Sequence, residues 1–489
     1  MAWRVKMVTG VVLVLLVSSS LVNGTPARKG GRGKVKVSTT SAPPPPPPSP
    51  ILIEDEDKDD PTVTSGTSSS PPAPISLTDS ICNFRPIWDK TPTGAWCELE
   101  SDNLDTLVAS AVLFRHGART PMYKYVFDPF QDFDYGIEGL GQLTGPGKHW
   151  SYRLGQYLRC RYGSFLSTRY SMSQVYCRSS QTDRTAMSAA SLLAGLFPPL
   201  RRDPGGHVDF PKVRWQPIPC FTMDPQLDNK LKNTRPCPKY DALFSEHLAK
   251  LGATQDRNTI KLLRNLSDLT GNDVQSYKDV HNIMDTLSIQ HCQYGLPFPA
   301  WFPPLAKQIQ ALEQANYLQF VSTEELQRLY VGPILHQIIL DLETMLGFDD
   351  FGLSEMTAEE LASLRRANLY IYATHDTTIS GLLESLSGYN TTQPPPYDAA
   401  LIFELHHDED EEGVDINWVK ILYRTDPNGV AEEVLLSNCD HPCTLSKFKE
   451  ITSNLSVDDK KWDSLCGNGK CSDGNDNNSD DGNDDEDDD

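Results

Sequence analysis

The chain has 489 residues, 38% of them hydrophobic, enough for one large domain or two ordinary ones, so neither a peptide hormone nor a wholly disordered chain fits. Its formal net charge of −22 argues against a nucleic-acid binder that must neutralise phosphates over a broad surface. Ten of the acids fall in Asp473–Asp489, so part of that excess belongs to the end of the chain.

Residues 1–24 read as a secretory signal peptide. Arg4 and Lys6 precede the apolar run Met7–Val17, and Val22-Asn23-Gly24 offers a cleavage point. The run breaks at Ser18-Ser19-Ser20, short of the roughly 20 apolar residues of a membrane helix, and no second such stretch follows; an uncleaved anchor is the other reading. The mature chain is expected to be secreted, with a lysosomal lumen as the alternative address, and to have no membrane span. Eleven cysteines agree with an oxidising compartment; the close pairs Cys82 with Cys97, Cys439 with Cys443 and Cys466 with Cys471 could close short loops, although spacing leaves the connectivity open. No zinc spacing emerges, since His441 between Cys439 and Cys443 has no second ligand pair. Sequons at Asn265, Asn390, Asn454 and Asn477 mark candidate glycosylation sites.

Residues 25–80 pass through Lys/Gly, Ser/Thr, six consecutive prolines and an acidic run, a composition expected to form a solvated linker. The ordered region is placed at 81–466. Leu107–Phe114 reads as a buried strand, Pro146–Arg161 as a helix, Gln174–Cys177 as a second strand, and Asp183 to about Leu196 as a helix stopped by Pro198-Pro199. A third unit pairs the strand Leu369–Ala373 with a helix from Ile379 to Leu386, ended by Gly388. This alternation predicts an α/β fold, a parallel sheet flanked by helices on both faces. Between about 219 and 347 only amphipathic helices recur, such as Thr259–Leu269, Leu305–Phe320 and Ile334–Leu346, predicting an inserted helical cap domain. Ala400–His406 and Ile416–Arg424 read as a hairpin across the acidic turn Asp408–Gly413, and 467–489 as a disordered acidic tail. The tail's Asp476-x-Asn478-x-Asp480 lacks the glycine position and terminal glutamate of an EF-hand, leaving only weak, diffuse calcium binding.

In open α/β sheets ligands bind beyond the carboxyl ends of the strands, so the polar residues that follow strands are the candidate site. They are Arg115-His116-Gly117-Ala118-Arg119, Arg178, and His375-Asp376. Guanidinium forks match phosphate oxygens two at a time, so Arg115, Arg119 and Arg178 form a candidate phosphate clamp. A neutral His116 can attack phosphorus, Asp376 can protonate the leaving oxygen, and His375 can donate to the phosphoryl group. This chemistry calls for no metal and no cofactor. Arg184 reads as a structural ion-pair partner on its helix, and His281, His291, His336 and His441 as helix-face or loop histidines.

Arg115-His-Gly-Ala-Arg-Thr-Pro121 with His375-Asp376 resembles the histidine acid phosphatase family, the second branch of the histidine phosphatase superfamily. Gly141-Gln-Leu-Thr144, Tyr176-Cys-Arg-Ser179, Thr182-Asp-Arg-Thr185, Leu196-Phe-Pro-Pro199 and Trp215-Gln-Pro-Ile-Pro219 are similar to the lysosomal and prostatic members. The resemblance implies that family's fold, a phosphoglycerate-mutase-like sheet with a helical cap, and metal-free hydrolysis of phosphomonoesters through a phosphohistidine at His116. It implies phosphate binding by Arg115, Arg119, Arg178 and His375, proton donation by Asp376, a homodimer, and disulfides Cys439–Cys443 and Cys237–Cys292. Ala118 departs from the family's usual Asp, and Ala399-Ala400 stand where a further half-cystine is expected. Two other readings remain. An inositol polyphosphate phosphatase would want more cations than this acidic chain offers, and a secreted matrix protein would bind calcium or mineral through the tail.

Overall fold

The computed structural model describes residues 81–82, 104–136, 138–198, 215–346, 367–387, 394–409 and 413–467. The expected signal peptide, linker, acidic tail, Asn390, Asn477, Cys97, Cys471 and the helix stops at Pro199 and Gly388 lie outside them.

In chain order the main elements begin with β1 (Leu107–Arg115), α1 (Gly145–Arg161), β2 (Val175–Ser179), α2 (Asp183–Leu196) and the short β3 (Phe221–Thr222). Helices α3 (Pro238–Thr254), α4 (Arg257–Thr270), α5 (Tyr277–Tyr294), α6 (Ala306–Leu318), α7 (Glu324–Tyr330) and α8 (Gly332–Glu343) follow. The chain then returns as β4 (Leu369–Thr374), α9 (Asp376–Ser387), β5 (Ala400–Glu409), β6 (Asp415–Arg424), β7 (Glu432–Glu433), β8 (Cys443–Thr444), α10 (Leu445–Thr452) and α11 (Asp459–Cys466). One sheet runs β3-β2-β4-β1-β5-β6-β7, with β8 also paired to β6.

The expected parallel pairing holds for β3, β2, β4 and β1, while β5, β6, β7 and β8 join antiparallel. The sheet is therefore mixed. After β4 the chain makes one more crossover through α9, and the hairpin that follows needs only a short turn, which antiparallel strands permit. Side chains alternate across it as a strand's two-residue period requires. Ala111, Leu113, Tyr370, Tyr372, Leu401 and Phe403 face a core completed by α8 and α9. Val112, Phe114, Ile371, Ala373 and Ile402 face one completed by α1 and α2. This is the α/β architecture with helices on both faces that the sequence predicts.

The helices α4, α5 and α6 bury a separate cluster including Leu263, Leu266, Ile283, Met284 and Ile309, with Ile81 added to it. Local signals set their ends: Asp256 accepts the Thr259 N–H, Ser276 and Asp279 form a reciprocal capping box, and Gly271 and Gly295 close α4 and α5 in the left-handed region.

The structure pairs Cys439 with Cys443, Cys177 with Cys220, Cys82 with Cys292, and Cys237 with Cys466. The expected Cys237–Cys292 bridge is thereby overturned. Cys237, at the start of α3, is buried with Trp462 and Cys466, whereas Cys292 packs beside Ile81 in the other cluster. The short-loop alternatives for Cys82 and Cys466 give way to the same long-range pairings. These bridges mark an oxidising compartment, extracellular or lumenal. Among the described residues no helix is long and apolar enough to cross a membrane.

Two carboxyls lie deep in this scaffold with no cation in contact among the described residues. Asp341 on α8 accepts from the Tyr372 hydroxyl and from Gln337 Nε2, and burial pushes it up to about 7. Asp398 accepts from Ser151 Oγ at 2.6 Å, and burial again pushes it up to about 7. The folded chain then holds protons that an unfolded aspartate, with a pKa of about 3.9, releases, so these two carboxyls contribute stability that is full below about pH 4 and is lost as pH rises to about 7. Thermal melts of wild type and of the Asp341→Asn, Asp398→Asn double variant across that range should show the wild type losing stability relative to the variant as pH rises; a difference that does not change with pH would refute the assignment.

Candidate active site

The register of the parallel strands assembles the site. Arg115 at the end of β1 stands opposite Thr374 at the end of β4, so His116 and His375 leave the same edge side by side, their ring centroids 5.5 Å apart. Asp376 is the first residue of α9. The loop after β1 lies against the start of α1 at two glycines. A Cβ on Gly117 would sit 2.5 Å from the Gly147 carbonyl oxygen, and one on Gly147 would sit 2.1 Å from that of Ala118, so neither position admits a side chain.

His116 is buried, and its Nδ1 is 2.9 Å from the Gly117 carbonyl oxygen, which can only accept. Nδ1 therefore carries the hydrogen, and Nε2 presents its lone pair. Arg184 Nε donates to that Nε2 at 3.0 Å. Burial first, then the charges of Arg184, Arg115 and Arg119 and the neighbouring His375, hold the His116 imidazole well below its usual range, so it stays neutral in acid. His375 follows the same logic, driven down to about 3 by burial and by Arg184, with its Nε2 3.0 Å from Ser180 Oγ.

Arg115 and Arg119 each have a fixed holder. Arg115 donates through Nη1 to the Pro395 carbonyl at 2.6 Å, pairs through Nη2 with Asp376 Oδ2 at 2.7 Å, and lies over the Tyr397 ring. Arg119 forms a two-point pair with Asp285 of α5 at 2.9 and 3.0 Å. Burial opposes the charge of Asp376, but Arg115, His281, His375 and Arg119 outweigh it and keep the carboxyl well below the ordinary range. Beside Arg115 opens a cavity of about 360 Å³, walled by α5 and α6 and lined among others by His281, Gln293, Gln314, Tyr317 and Tyr397.

His116, Arg115, Arg119, His375 and Asp376 thus come together as the sequence pattern places them. Arg178 does not. It lies within β2, paired in register with Tyr372, and its Nη2 is bound to Asp228 at 3.0 Å, an aspartate that also caps the loop N–H groups of Lys230 and Leu231. The guanidinium against His116 is that of Arg184, at the second position of α2, overturning its reading as an ion-pair residue. The signal was present: a helix after a strand starts at the same carboxyl edge, so its first turn faces the site as the intervening loop does. Asp285, Tyr317 and Tyr397 had no local signal.

Residues 106–424 match the model of the histidine phosphatase superfamily, branch 2. Human lysosomal acid phosphatase is 34% identical over 367 residues, covering 73% of this chain and 79% of that protein. Mouse prostatic acid phosphatase is 31% identical over 362 residues, covering 73% and 87%. Among solved structures, a Hafnia alvei phytase in complex with tartrate superposes with a TM-score of 0.51 at 17% identity, covering 72% of this chain and 97% of that one. A Bifidobacterium longum multiple inositol polyphosphate phosphatase gives 0.50 at 12%, covering 76% and 98%. The chain belongs to branch 2 of the histidine phosphatase superfamily.

The two arginines are separable by experiment. A charge-assisted hydrogen bond contributes roughly 1.5–3 kcal/mol, so Arg184→Ala should weaken orthophosphate binding in calorimetry by about 10- to 100-fold, while Arg178→Ala leaves it within about threefold. The reverse order would restore Arg178 to the clamp.

Proposed function

We propose that the protein is an acid phosphatase that hydrolyses orthophosphoric monoesters in two displacements at His116. The observation that carries this reading is the Nε2 lone pair of a neutral, oriented imidazole, held within a cluster of guanidinium groups. In the first displacement Nε2 attacks phosphorus, the bond to the ester oxygen breaks, and the proton of Asp376 goes to the departing alcohol. In the second, water attacks the phosphohistidine, its proton passes to the Asp376 carboxylate, the phosphorus–nitrogen bond breaks and orthophosphate leaves. Arg115, Arg119 and Arg184 neutralise the charge on the phosphoryl oxygens, and His375 donates to one of them.

The proton on Asp376 has a defined source. In the free site Arg115 holds this carboxyl ionised, so the acid is not charged in advance. A phosphomonoester below its second pKa of about 6 is a monoanion and carries the missing proton with it. Its oxygens also draw on the guanidinium groups that had kept Asp376 ionised. Acid operation follows from the substrate's own titration.

The finer address is a secreted protein, or one of the lysosomal lumen, on the strength of Arg4, Lys6 and the apolar run after them. Asn265 and Asn454 are exposed and suited to carry glycans. A homodimer is supported by β3, which ends the sheet with exposed Phe221, Met223 and Leu227 near it. The acidic residues 468–489, outside the described structure, are assigned weak calcium binding.

Purified chain at pH about 5 with chelator should hydrolyse 4-nitrophenyl phosphate, and His116→Ala should abolish turnover and phosphoenzyme trapping on acid quench. The fall of kcat/KM at higher pH should move down with the substrate's second pKa when a fluorinated aryl phosphate replaces phenyl phosphate. Turnover retained in His116→Ala would end this reading, and a break that ignores the substrate would end the account of the proton.

A further inference from the structure

Asp376 is contacted from a second direction that the mechanism above does not use. Tyr317, at the penultimate position of α6, is buried and donates its hydroxyl to Asp376 Oδ2 at 3.3 Å. Oδ1 accepts the N–H of Thr377 at 2.9 Å, and Oδ2 also receives Arg115 at 2.7 Å. The carboxyl is therefore gripped by its own helix on one oxygen and by the sheet and the inserted helices on the other.

The two partners of Oδ2 differ in kind. Arg115 only donates and stays charged, so it favours the carboxylate and opposes the acid form. A phenol hydroxyl both donates and accepts, and tolerates either protonation state of its neighbour. Burial raises the Tyr317 hydroxyl well above its usual range, so it is a neutral group at any working pH. Its ring is held in place: His281 of α5 meets it edge-on with centroids 5.3 Å apart, and His281 Nδ1 lies 3.5 Å from Glu313, one turn earlier on α6.

We propose that Tyr317 is a positioning residue for the acid, fixing the Asp376 carboxyl from the helical insert so that its proton faces the leaving oxygen. This rests on the phosphatase reading and specifies how its acid is aimed. As the phosphorus–oxygen bond breaks and the proton passes to the alcohol, negative charge returns to Asp376 and the Tyr317 O–H bond to Oδ2 strengthens. That gain is realised only when the proton has moved far in the transition state, as a poor leaving group requires and 4-nitrophenolate does not.

The test is kcat/KM, which reports the first displacement, for wild type and Tyr317→Phe with 4-nitrophenyl, phenyl and simple alkyl phosphates. The expected loss is within about threefold for 4-nitrophenyl phosphate and about 10- to 100-fold for the alkyl esters, the range of one charge-assisted hydrogen bond. Near-ultraviolet circular dichroism and a thermal melt of the variant check the fold, and Tyr317→Leu should reproduce the same dependence if the hydroxyl is what matters. A loss equal across the series, or none, would overturn the positioning role while leaving the phosphatase reading intact. A wild-type chain inactive on every ester would instead remove the phosphatase reading and this inference with it.

Discussion

The parallel pairing of β1 with β4 is the constraint from which the site descends. Its register sets Arg115 against Thr374, and because both strands run the same way their carboxyl ends stop at one level. His116 on one and His375-Asp376 on the other then need no long side chains to meet. The pairing in turn depends on two cores, one on each face, which only side chains alternating along each strand can supply. The close approach of Gly117 to Gly147 adds the last increment, bringing the loop after β1 down onto the N-terminus of α1.

Crowding cations at a buried edge is costly unless each has a partner, and the partners here come from different layers. Asp376 on α9 holds Arg115, and Asp285 on α5 holds Arg119. The helical insert is thus part of the electrostatic balance of the site, beyond walling its cavity. The same field keeps His116 neutral, so the arrangement that would attract an anion also leaves its Nε2 unprotonated. It equally keeps Asp376 ionised in the free site.

The arginines show where reading along the chain loses its grip. Arg178 directly follows an apolar strand and looked like a clamp residue, but the strand continues through Ser179, and Arg178 faces Asp228, fifty residues on. Arg184 looked like a structural ion-pair partner on its helix, yet its place in the first turn of α2 aims it at His116. The cysteines repeat the lesson: Cys439 and Cys443 are close enough in sequence for the chain itself to bring them together, while Cys237 has partners at any distance and only packing against Trp462 selects Cys466.

From the sequence alone came the strand–helix alternation, the run of helices between β3 and β4, although the last of them, α8, packs on the sheet and not in the separate helical cluster, and the residues His116, Arg115, Arg119, His375 and Asp376, because hydrophobic period and position after a strand are local properties of the chain. The antiparallel half of the sheet was legible only as an isolated hairpin. Tertiary structure alone decided which arginine meets His116, which carboxylates hold Arg115 and Arg119, that Tyr317 reaches Asp376, and which thiols join. Those are contacts between segments distant along the chain, and their selection depends on how whole layers pack, a quantity no local window contains.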